Sequence, residues 1–240
     1  MRVHPSFQLN GKAYERNALD LAAQQWADSA DEEQQALGHF LMNWLSDDEH
    51  IALHTSGSTG KPKEIQMPKT AMYASAVRTA AFFNLSDGDS ALLCLPIRYI
   101  AGKMMLVRAL VLGLHLDIIP PKTKLHIEKD YTFAALIPLQ ANASFEVLGR
   151  FKTVLIGGAP IPTDLRKRIS KKHKHCIETF GMTETLTHVA TRVVSDVAIP
   201  FKAMPGIGIS TDENDCLVLD VPDLPLSPLV TQDVVRLEGR

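Results

Sequence analysis

The chain has 240 residues, of which 45% are hydrophobic and 22% charged, as is typical of one large or two small globular domains with a substantial core. A net charge of −2 gives no reason to expect nucleic acid or a membrane surface as a partner. The three cysteines are far apart, the N-terminus has no long apolar run, and no stretch approaches about 20 apolar residues, so we expect a reduced, cytoplasmic chain without signal peptide or membrane span.

The first 50 residues predict two helices. One is predicted over residues 19–28, and Ser29 and Glu32 have the spacing of a capping box that would begin the second. The second helix presents one apolar face to a core, formed by residues at helical spacing: Leu37, Phe40, Leu41, Trp44 and Leu45.

From residue 51 onward, short apolar runs alternate with helical patterns. Strands are predicted over residues 51–53, 91–95, 116–119, 133–137 and 153–156, and helices over 70–83, 102–112 and 163–171. Continuous apolar strands that alternate with helices predict an α/β fold, with mostly parallel sheets covered by helices.

The pattern changes after Thr187, where short strand-like segments are separated by prolines. We expect a smaller antiparallel or barrel-like C-terminal part, and divide the chain into an α/β core with an N-terminal helical segment at residues 1–186 and a β-rich subdomain at residues 187–240. Val234 and Val235 indicate the start of a strand pair that the remaining sequence does not complete. This favours a piece of a larger protein over a naturally short chain.

The segment HTSGSTGKPKEIQ, residues 54–66, is a polar turn that contains glycine. Hydroxyls and backbone N–H groups in such a turn can line an anion site, and Lys61 and Lys63 add positive charge. The segment therefore suits a polyphosphate. It does not have Walker A spacing, because Gly57 and Gly60 are too close together. A polar surface turn explains the composition equally well.

Three further segments carry groups that can bind a ligand. LIGGAPIP ends a strand in two glycines, which lets another molecule approach the backbone. In ETFGMTET, Phe180 can stack on a planar base, Thr183 can donate to phosphate, and Glu184 can bind magnesium. In LVTQDVVRL, Asp233 can accept hydrogen bonds from a ribose diol. Each segment also has a structural interpretation: a strand-to-helix turn, a helix cap and a solvated hairpin aspartate.

Together, and in this order, the four segments resemble those of the adenylate-forming enzymes, the superfamily of acyl- and aryl-CoA ligases, luciferases and peptide-synthetase adenylation domains. TSGSTGKPK is similar to its phosphate-binding signature, GGAP and TFGMTET to its adenine-binding turn and the adjoining motif, and TQD to its ribose-binding motif. The resemblance begins near Ile51 and implies the fold of the N-terminal domain. CLPIRYIAGKMMLVRAL more narrowly resembles the o-succinylbenzoate–CoA ligases of menaquinone biosynthesis, in a compact form.

The resemblance implies a two-step reaction that uses ATP and Mg²⁺. A carboxylic acid, o-succinylbenzoate under the narrower resemblance, attacks the α-phosphate of ATP to give an acyl-AMP and pyrophosphate. The thiol of CoA then displaces AMP. The implied partners are the acid, ATP and CoA, with no nucleic acid and no membrane, and a homodimer is left open. Two alternatives remain: an enzyme that loads a carrier protein instead of CoA, and a non-catalytic nucleotide-binding module.

The resemblance assigns a role to each matching position. The catalytic residues are Thr183, Glu184 and Lys63, and Glu184 is also the metal ligand. The nucleotide-binding residues are Thr55, Ser56, Gly57, Ser58, Thr59, Gly60, Lys61, Gly157, Gly158, Ala159, Pro160, Thr179, Phe180, Gly181, Met182 and Asp233. The candidates for the acid pocket, each of which can equally be a surface or structural residue, are Arg98, Tyr99, Gly102, Lys103 and His188.

The sequence departs from the family pattern at several positions. Glu64 replaces a glycine after the phosphate segment, Phe180 replaces a tyrosine, Gln232 replaces the glycine of Thr-Gly-Asp, and Tyr99 replaces a histidine of the acid pocket. The family's C-terminal lid domain, which carries the lysine that drives adenylation, does not follow Arg240. We therefore expect this chain alone to form little CoA thioester.

Overall fold

The computed structural model describes residues 3–54, 63–197 and 199–238. Its strands are β1 (Gln8–Leu9), β2 (Lys12–Ala13), β3 (His50–His54), β4 (Glu64–Pro68), β5 (Ser90–Leu93), β6 (His115–Ile118), β7 (Tyr131–Leu136), β8 (Phe151–Ile156), β9 (Cys176–Gly181), β10 (His188–Val193), β11 (Lys202–Ala203), β12 (Gly208–Thr211), β13 (Cys216–Asp220) and β14 (Leu229–Val234). Its helices are α1 (Arg16–Ala27), α2 (Glu32–Leu45), α3 (Lys69–Phe83), α4 (Ile100–Leu112), α5 (Pro138–Ala143) and α6 (Thr163–Lys172), with 3-10 turns at Phe145–Arg150 and Thr183–Thr185.

A nine-stranded sheet forms the centre of the molecule, in the order β11-β10-β9-β8-β7-β5-β6-β1-β2. The six strands from β9 to β1 pair in parallel, whereas β2 at one edge and β10 and β11 at the other pair antiparallel. The predicted α/β class with a mostly parallel sheet is therefore confirmed. The sheet has a distinct core on each face because successive strand residues point to opposite sides.

The two faces of the sheet are covered by different helices. Ala91 and Leu93 of β5 pack into a core with α1, α2, α3 and α4, whereas Leu92 packs into a second core with α5 and α6. This arrangement buries both faces, which explains why the parallel strands are continuous apolar runs. Within the described ranges, no helix combines the length and the hydropathy needed to cross a bilayer.

The N-terminal helices form as predicted, but the capping box at Ser29 and Glu32 was wrong. Helix α2 begins at Glu32, so Asp31 is the N-cap residue, and its carboxylate accepts the backbone N–H of Gln34 at 2.8 Å. Ser29 instead donates from its hydroxyl to the side-chain oxygen of Gln34 at 2.6 Å. Asp31 lies two residues after the predicted cap residue, and its carboxylate satisfies a free N–H group of a first turn that begins at Glu32, so the helix begins later.

Two smaller antiparallel sheets flank the large one. The predicted strand at residues 51–53 lies in β3, which pairs with β4 outside the parallel sheet, and β12, β13 and β14 form a three-stranded sheet. The prediction that a strand pair begins at Val234 and Val235 was wrong, because β14 already ends at Val234 and pairs with β13. Strands β10 and β11 belong to the large sheet, and the division of the chain at residue 187 stays a prediction.

Gly38 lies where α1 and α2 cross, so a substitution there tests how closely the two helices pack. A Cβ at Gly38 would lie 2.3 Å from the backbone nitrogen of Ala27 and 2.6 Å from the carbonyl oxygen of Ala23. Helix propensity alone would make Gly38→Ala stabilising by about 1 kcal/mol. Because the overlap is with backbone, we expect instead that the free energy of unfolding falls by about 2 kcal/mol.

Urea unfolding of the variant measures this change. Gly149→Ala is the control, since a Cβ there would lie 3.8 Å from Cε1 of His173, an ordinary contact distance. A Gly38→Ala chain as stable as the wild type would contradict the predicted overlap.

Candidate active site

Four neighbouring parallel strands, β5, β7, β8 and β9, end at one edge of the large sheet. Strand β8 leads into residues 157–160, and β9 ends at Gly181. The antiparallel β10 begins at the same edge, where His188 is paired with Gly181. The GGAP and TFGMTET segments therefore lie side by side, at the edge where open α/β sheets bind ligands.

Gly157 is in close contact with β9. Its N–H donates to the carbonyl oxygen of Leu136 at 3.1 Å, and a Cβ on it would lie 2.3 Å from Oγ1 of Thr179. Gly158 has φ +82°, which a residue without a side chain adopts at no steric cost. Because residues 158–160 are exposed, the turn presents backbone to solvent beside β9.

The hydroxyl of Thr185 organises the turn that follows β9. Its oxygen accepts the N–H of Met182 at 3.0 Å and lies 2.9 Å from the carbonyl oxygen of Thr187, to which it can donate. Thr185 is buried, so these bonds are shielded from water. The turn holds Thr183 and Glu184 half-buried at the edge of the sheet.

The carboxylate of Glu184 is the predicted oxygen donor for a metal at this edge. Magnesium commonly takes one or two protein carboxylates and fills its other positions with water and substrate phosphate oxygens. Within residues 3–54, 63–197 and 199–238, no three His, Cys, Asp or Glu side chains are grouped as a metal cage. A half-buried carboxylate at this edge thus fits a magnesium ion that arrives with a polyphosphate.

Two predicted nucleotide contacts lie in different surroundings. Phe180 is half-buried, packs against the core of the three-stranded sheet, and has its ring centroid 6.2 Å from that of Phe201. Asp233 lies on β14 in that sheet, is exposed, and donates its backbone N–H to Oγ1 of Thr231 at 3.1 Å. Adenine stacking and ribose binding by these residues stay predictions.

A hydrogen-bonded chain that the sequence did not indicate lies beside the TFGMTET turn. The guanidinium of Arg108 donates to Oγ1 of Thr187, and that hydroxyl lies 3.0 Å from Nδ1 of His188. Nε2 of His188 lies 3.4 Å from Oγ1 of Thr79, which donates to the carbonyl oxygen of Ser75 at 3.0 Å. These bonds can all be satisfied when His188 is neutral with its proton on Nε2, a tautomer assigned from the network.

Burial lowers the pKa values of the two ionisable side chains in the Arg108–Thr187–His188 hydrogen-bonded chain. Desolvation, followed by the charges of Arg108 and Arg78, holds the pKa of His188 well below its ordinary value. Desolvation also lowers the pKa of Arg108 to about 10. Among the described residues, Nε of Arg108 has no hydrogen-bond partner and no carboxylate forms an ion pair with its guanidinium. A charged residue in the middle of the apolar helix α4 was the available sequence signal for Arg108.

The remaining candidates for the acid pocket lie on the loop after β5 and on the first turn of α4. Gly102 is needed there, because a Cβ would lie 2.3 Å from the carbonyl oxygen of Pro96. Arg98 and Tyr99 are exposed, with the guanidinium carbon 4.9 Å from the ring centroid. Burial lowers the pKa of Lys103. The loop thus places cationic and aromatic side chains at the end of β5.

Most of the predicted phosphate-binding residues lie outside the described residues: Thr55, Ser56, Gly57, Ser58, Thr59, Gly60 and Lys61. Lys63 is exposed and directly precedes β4. Glu64, which replaces the family's glycine, has its carboxylate 3.6 Å from Nε2 of His54 and accepts the amide of Gln66 at 2.9 Å. Its carboxylate is therefore directed to His54, at the end of the β3–β4 pair that adjoins residues 55–62 in sequence.

A family model described as AMP-binding enzyme matches residues 9–231, which is most of the chain. The chain belongs to the AMP-binding enzyme family. The resemblance drawn from the four segments is confirmed by this match. The matched region contains both turns at the sheet edge and the Arg108–Thr187–His188 chain.

Known proteins that the chain resembles match it over different lengths. The 2-succinylbenzoate–CoA ligase of Bacillus anthracis (strain A0248) is 29% identical over 150 residues, which cover 58% of the chain and 31% of that ligase. A solved structure, the crystal structure of an acyl-CoA synthetase (AMP-forming)/AMP-acid ligase II-like protein from Dyadobacter fermentans DSM 18053, is also similar. The match covers 92% of the present chain and 66% of the Dyadobacter chain, with 31% identity and a TM-score of 0.79.

A more distant solved structure is wild-type E. coli MenE with a bound m-phenylether-linked analogue of OSB-AMS. It is 25% identical, with a TM-score of 0.57, over 72% of the chain and 39% of that protein. The chain spans about a third of the length of the curated relatives that it matches.

In this member of the AMP-binding enzyme family, an ion cluster around the buried Glu178 holds the strand that leads into the TFGMTET turn. Glu178 on β9 accepts from Nη2 of Arg166 at 2.8 Å and from Nε of Arg192 at 2.6 Å. Burial by itself raises the pKa of Glu178, but the bonds from Arg192 and Arg166 outweigh it and lower that pKa. The cluster ties β9 to α6 and β10. Residues this far apart have no shared sequence pattern, so the cluster could not be predicted.

The neutral state of His188 predicts how stability depends on pH. An ordinary histidine in the unfolded chain takes up a proton near pH 6.5, whereas the native His188 does so only at lower pH. Below about pH 6.5 the unfolded chain therefore binds more protons, and His188 lowers the free energy of unfolding by up to about 1.4 kcal/mol per pH unit.

His188→Asn removes this contribution, so we expect its unfolding free energy to fall less steeply between about pH 6.5 and pH 5. Urea unfolding at several pH values measures the slope, and the same substitution at the exposed His39 is the control. Equal slopes for His188→Asn and the wild type would argue against a neutral native His188.

Proposed function

We propose that the chain provides the nucleotide-binding and acid-binding parts of an AMP-forming acid–CoA ligase that acts on o-succinylbenzoate. The observation that carries the proposal is the buried Arg108–Thr187–His188 chain beside the turn that holds Thr183 and Glu184. A cationic group is thus placed next to the family's nucleotide motif. The names of two relatives, a 2-succinylbenzoate–CoA ligase and MenE bound to an OSB-AMS analogue, support this acid.

The nucleotide would bind along the carboxyl edge of the sheet. Residues 157–160 and Phe180 would enclose adenine, Asp233 would bind the ribose, and Thr183 would donate to the α-phosphate. Residues 55–61 and Lys63 would hold the β- and γ-phosphates. Magnesium bound by Glu184 would supply charge neutralisation. The protein's contribution is to place two anions, a carboxylate and a phosphate, within reach of each other in a prearranged field.

The acid would bind at the Arg108 end of the site. A buried guanidinium with an open donor is unfavourable on its own, and a carboxylate is the partner that restores its hydrogen bonds and its charge balance. Because o-succinylbenzoate has two carboxylates, one can pair with Arg108 while the other attacks the α-phosphate. A neutral His188 adds a hydrogen-bonding group without a second positive charge. CoA would be the acceptor of the acyl group.

The metal role of Glu184 can be tested by binding. In the presence of magnesium, Glu184→Gln should weaken ATP binding about tenfold, because a neutral amide is a poorer ligand for a hard cation. Without magnesium, the variant and the wild type should bind ATP with similar affinity. Titration calorimetry measures both conditions, and Glu213→Gln, an exposed site in the turn before β13, is the control. An equal loss with and without magnesium would exclude the metal role.

The acid-binding role of Arg108 makes a second prediction. Arg108→Met should raise the dissociation constant for o-succinylbenzoate roughly 10- to 100-fold, the cost of losing a charged hydrogen bond. ATP affinity should hardly change. The variant should remain folded, since replacing a poorly paired buried charge with an apolar side chain is often neutral or stabilising.

Calorimetry with o-succinylbenzoate and with benzoate shows whether the loss depends on the second carboxylate. Unchanged o-succinylbenzoate affinity in Arg108→Met would contradict the assignment. A wild-type chain that binds ATP but none of a panel of aromatic acids would instead indicate a non-catalytic nucleotide-binding module.

A further inference from the structure

The loop between β5 and α4 is attached to a helix that is distant in sequence. The backbone N–H of Ile97 donates to Oε2 of Glu33, on the first turn of α2, at 3.1 Å. Ile97 is 2% exposed, so its N–H group has little access to water. Without the carboxylate, a buried donor would be left unsatisfied.

Two further backbone hydrogen bonds of this loop lie within the loop and between the loop and α4. The N–H of Tyr99 donates to the carbonyl oxygen of Pro96 at 3.2 Å, and the N–H of Lys103 donates to the carbonyl oxygen of Tyr99 at 3.1 Å. Gly102 packs directly against Pro96. These contacts set the shape of the loop, whereas the bond from Glu33 fixes the loop relative to a packed helix.

Helix α2 is a rigid support for such a bond. Asp31 caps its first turn, and Phe40, Leu41, Trp44 and Leu45 anchor it in the main core. Glu33 therefore has little freedom to follow a moving loop. Its position is determined by packing that is independent of any ligand.

We propose that Glu33 is a positioning residue that holds residues 96–99 in place for the acid. The inference rests on the proposed function and on the sequence-based prediction that Arg98 and Tyr99 belong to the acid pocket. It gives the N-terminal helical segment a part in substrate binding, although that segment contains no family motif. A shift of the loop by even about 1 Å would misplace these side chains and weaken acid binding.

Three variants separate positioning from general stability. Glu33→Ala removes the acceptor, Glu33→Gln keeps a side-chain oxygen that accepts the Ile97 N–H, and Glu32→Ala removes the neighbouring exposed carboxylate from the same helical turn. Both alanine variants lose one acidic group near the start of α2. Only Glu33→Ala should release the loop.

In Glu33→Ala we expect amide hydrogen exchange at Ile97 to become about tenfold faster or more, because the N–H loses its partner. The dissociation constant for o-succinylbenzoate should rise about tenfold, while that for ATP should stay within about twofold. Glu33→Gln and Glu32→Ala should resemble the wild type in all three measurements. Unchanged exchange at Ile97, or equal losses of acid and ATP affinity, would overturn the proposal.

The proposed function can fail separately from this inference. A wild-type chain that binds no o-succinylbenzoate would contradict the assignment of the acid. Hydrogen exchange at Ile97 needs no ligand, so it still decides whether Glu33 holds the loop.

Discussion

Parallel pairing of β5, β7, β8 and β9 places the carboxyl ends of four strands at one edge of the large sheet. Most of the candidate site is built from the segments that follow these strand ends. Two close backbone approaches allow the segments to meet. Gly157 lies against Thr179, and Gly181 lies against Thr187, where a Cβ would be 2.2 Å from the carbonyl oxygen. A larger residue at position 157 would push the GGAP turn away from β9, and one at position 181 would push the end of β9 away from Thr187. The shape of the site therefore depends on these glycines as much as on its polar groups.

Burial of Arg108 lowers the stability of the free protein, and the same burial would favour binding of the acid in the proposed reaction. A guanidinium without a carboxylate partner reduces the stability of the free protein, since desolvation is not offset by an opposite charge. The same desolvation strengthens the attraction of an incoming carboxylate, because the local dielectric is low. The directed hydrogen bonds through Thr187, His188 and Thr79 hold the guanidinium in one orientation. A site of this kind gives up some stability in order to be prepared for an anion.

The elements that the sequence predicted well are those with strong local patterns. The strands at residues 133–137 and 153–156 and the helix at 163–171 appear within two residues of their predicted ends, because they are buried runs or have a clear apolar face. Strands β4 and β9 carry alternating or polar residues and were not predicted. Arg108 bonds a residue 79 positions away and Glu33 bonds one 64 positions away, and no local sequence pattern predicts such contacts.

Helix α2 connects two parts of the site that are remote in sequence. Its first turn bonds the loop after β5 through Glu33, and its last carbonyl groups accept from Arg16 at 2.6 Å (to Leu45) and from Lys69 at 2.9 Å (to Ser46). Lys69 is 2% exposed and begins α3, the helix that carries Thr79 of the hydrogen-bonded chain. Because both ends of α2 are held by partly buried hydrogen bonds, a displacement of the loop after β5 is opposed by the same packing that positions α3. The N-terminal helices therefore support the loop that the proposed function places at the acid end, beyond their role in covering the sheet.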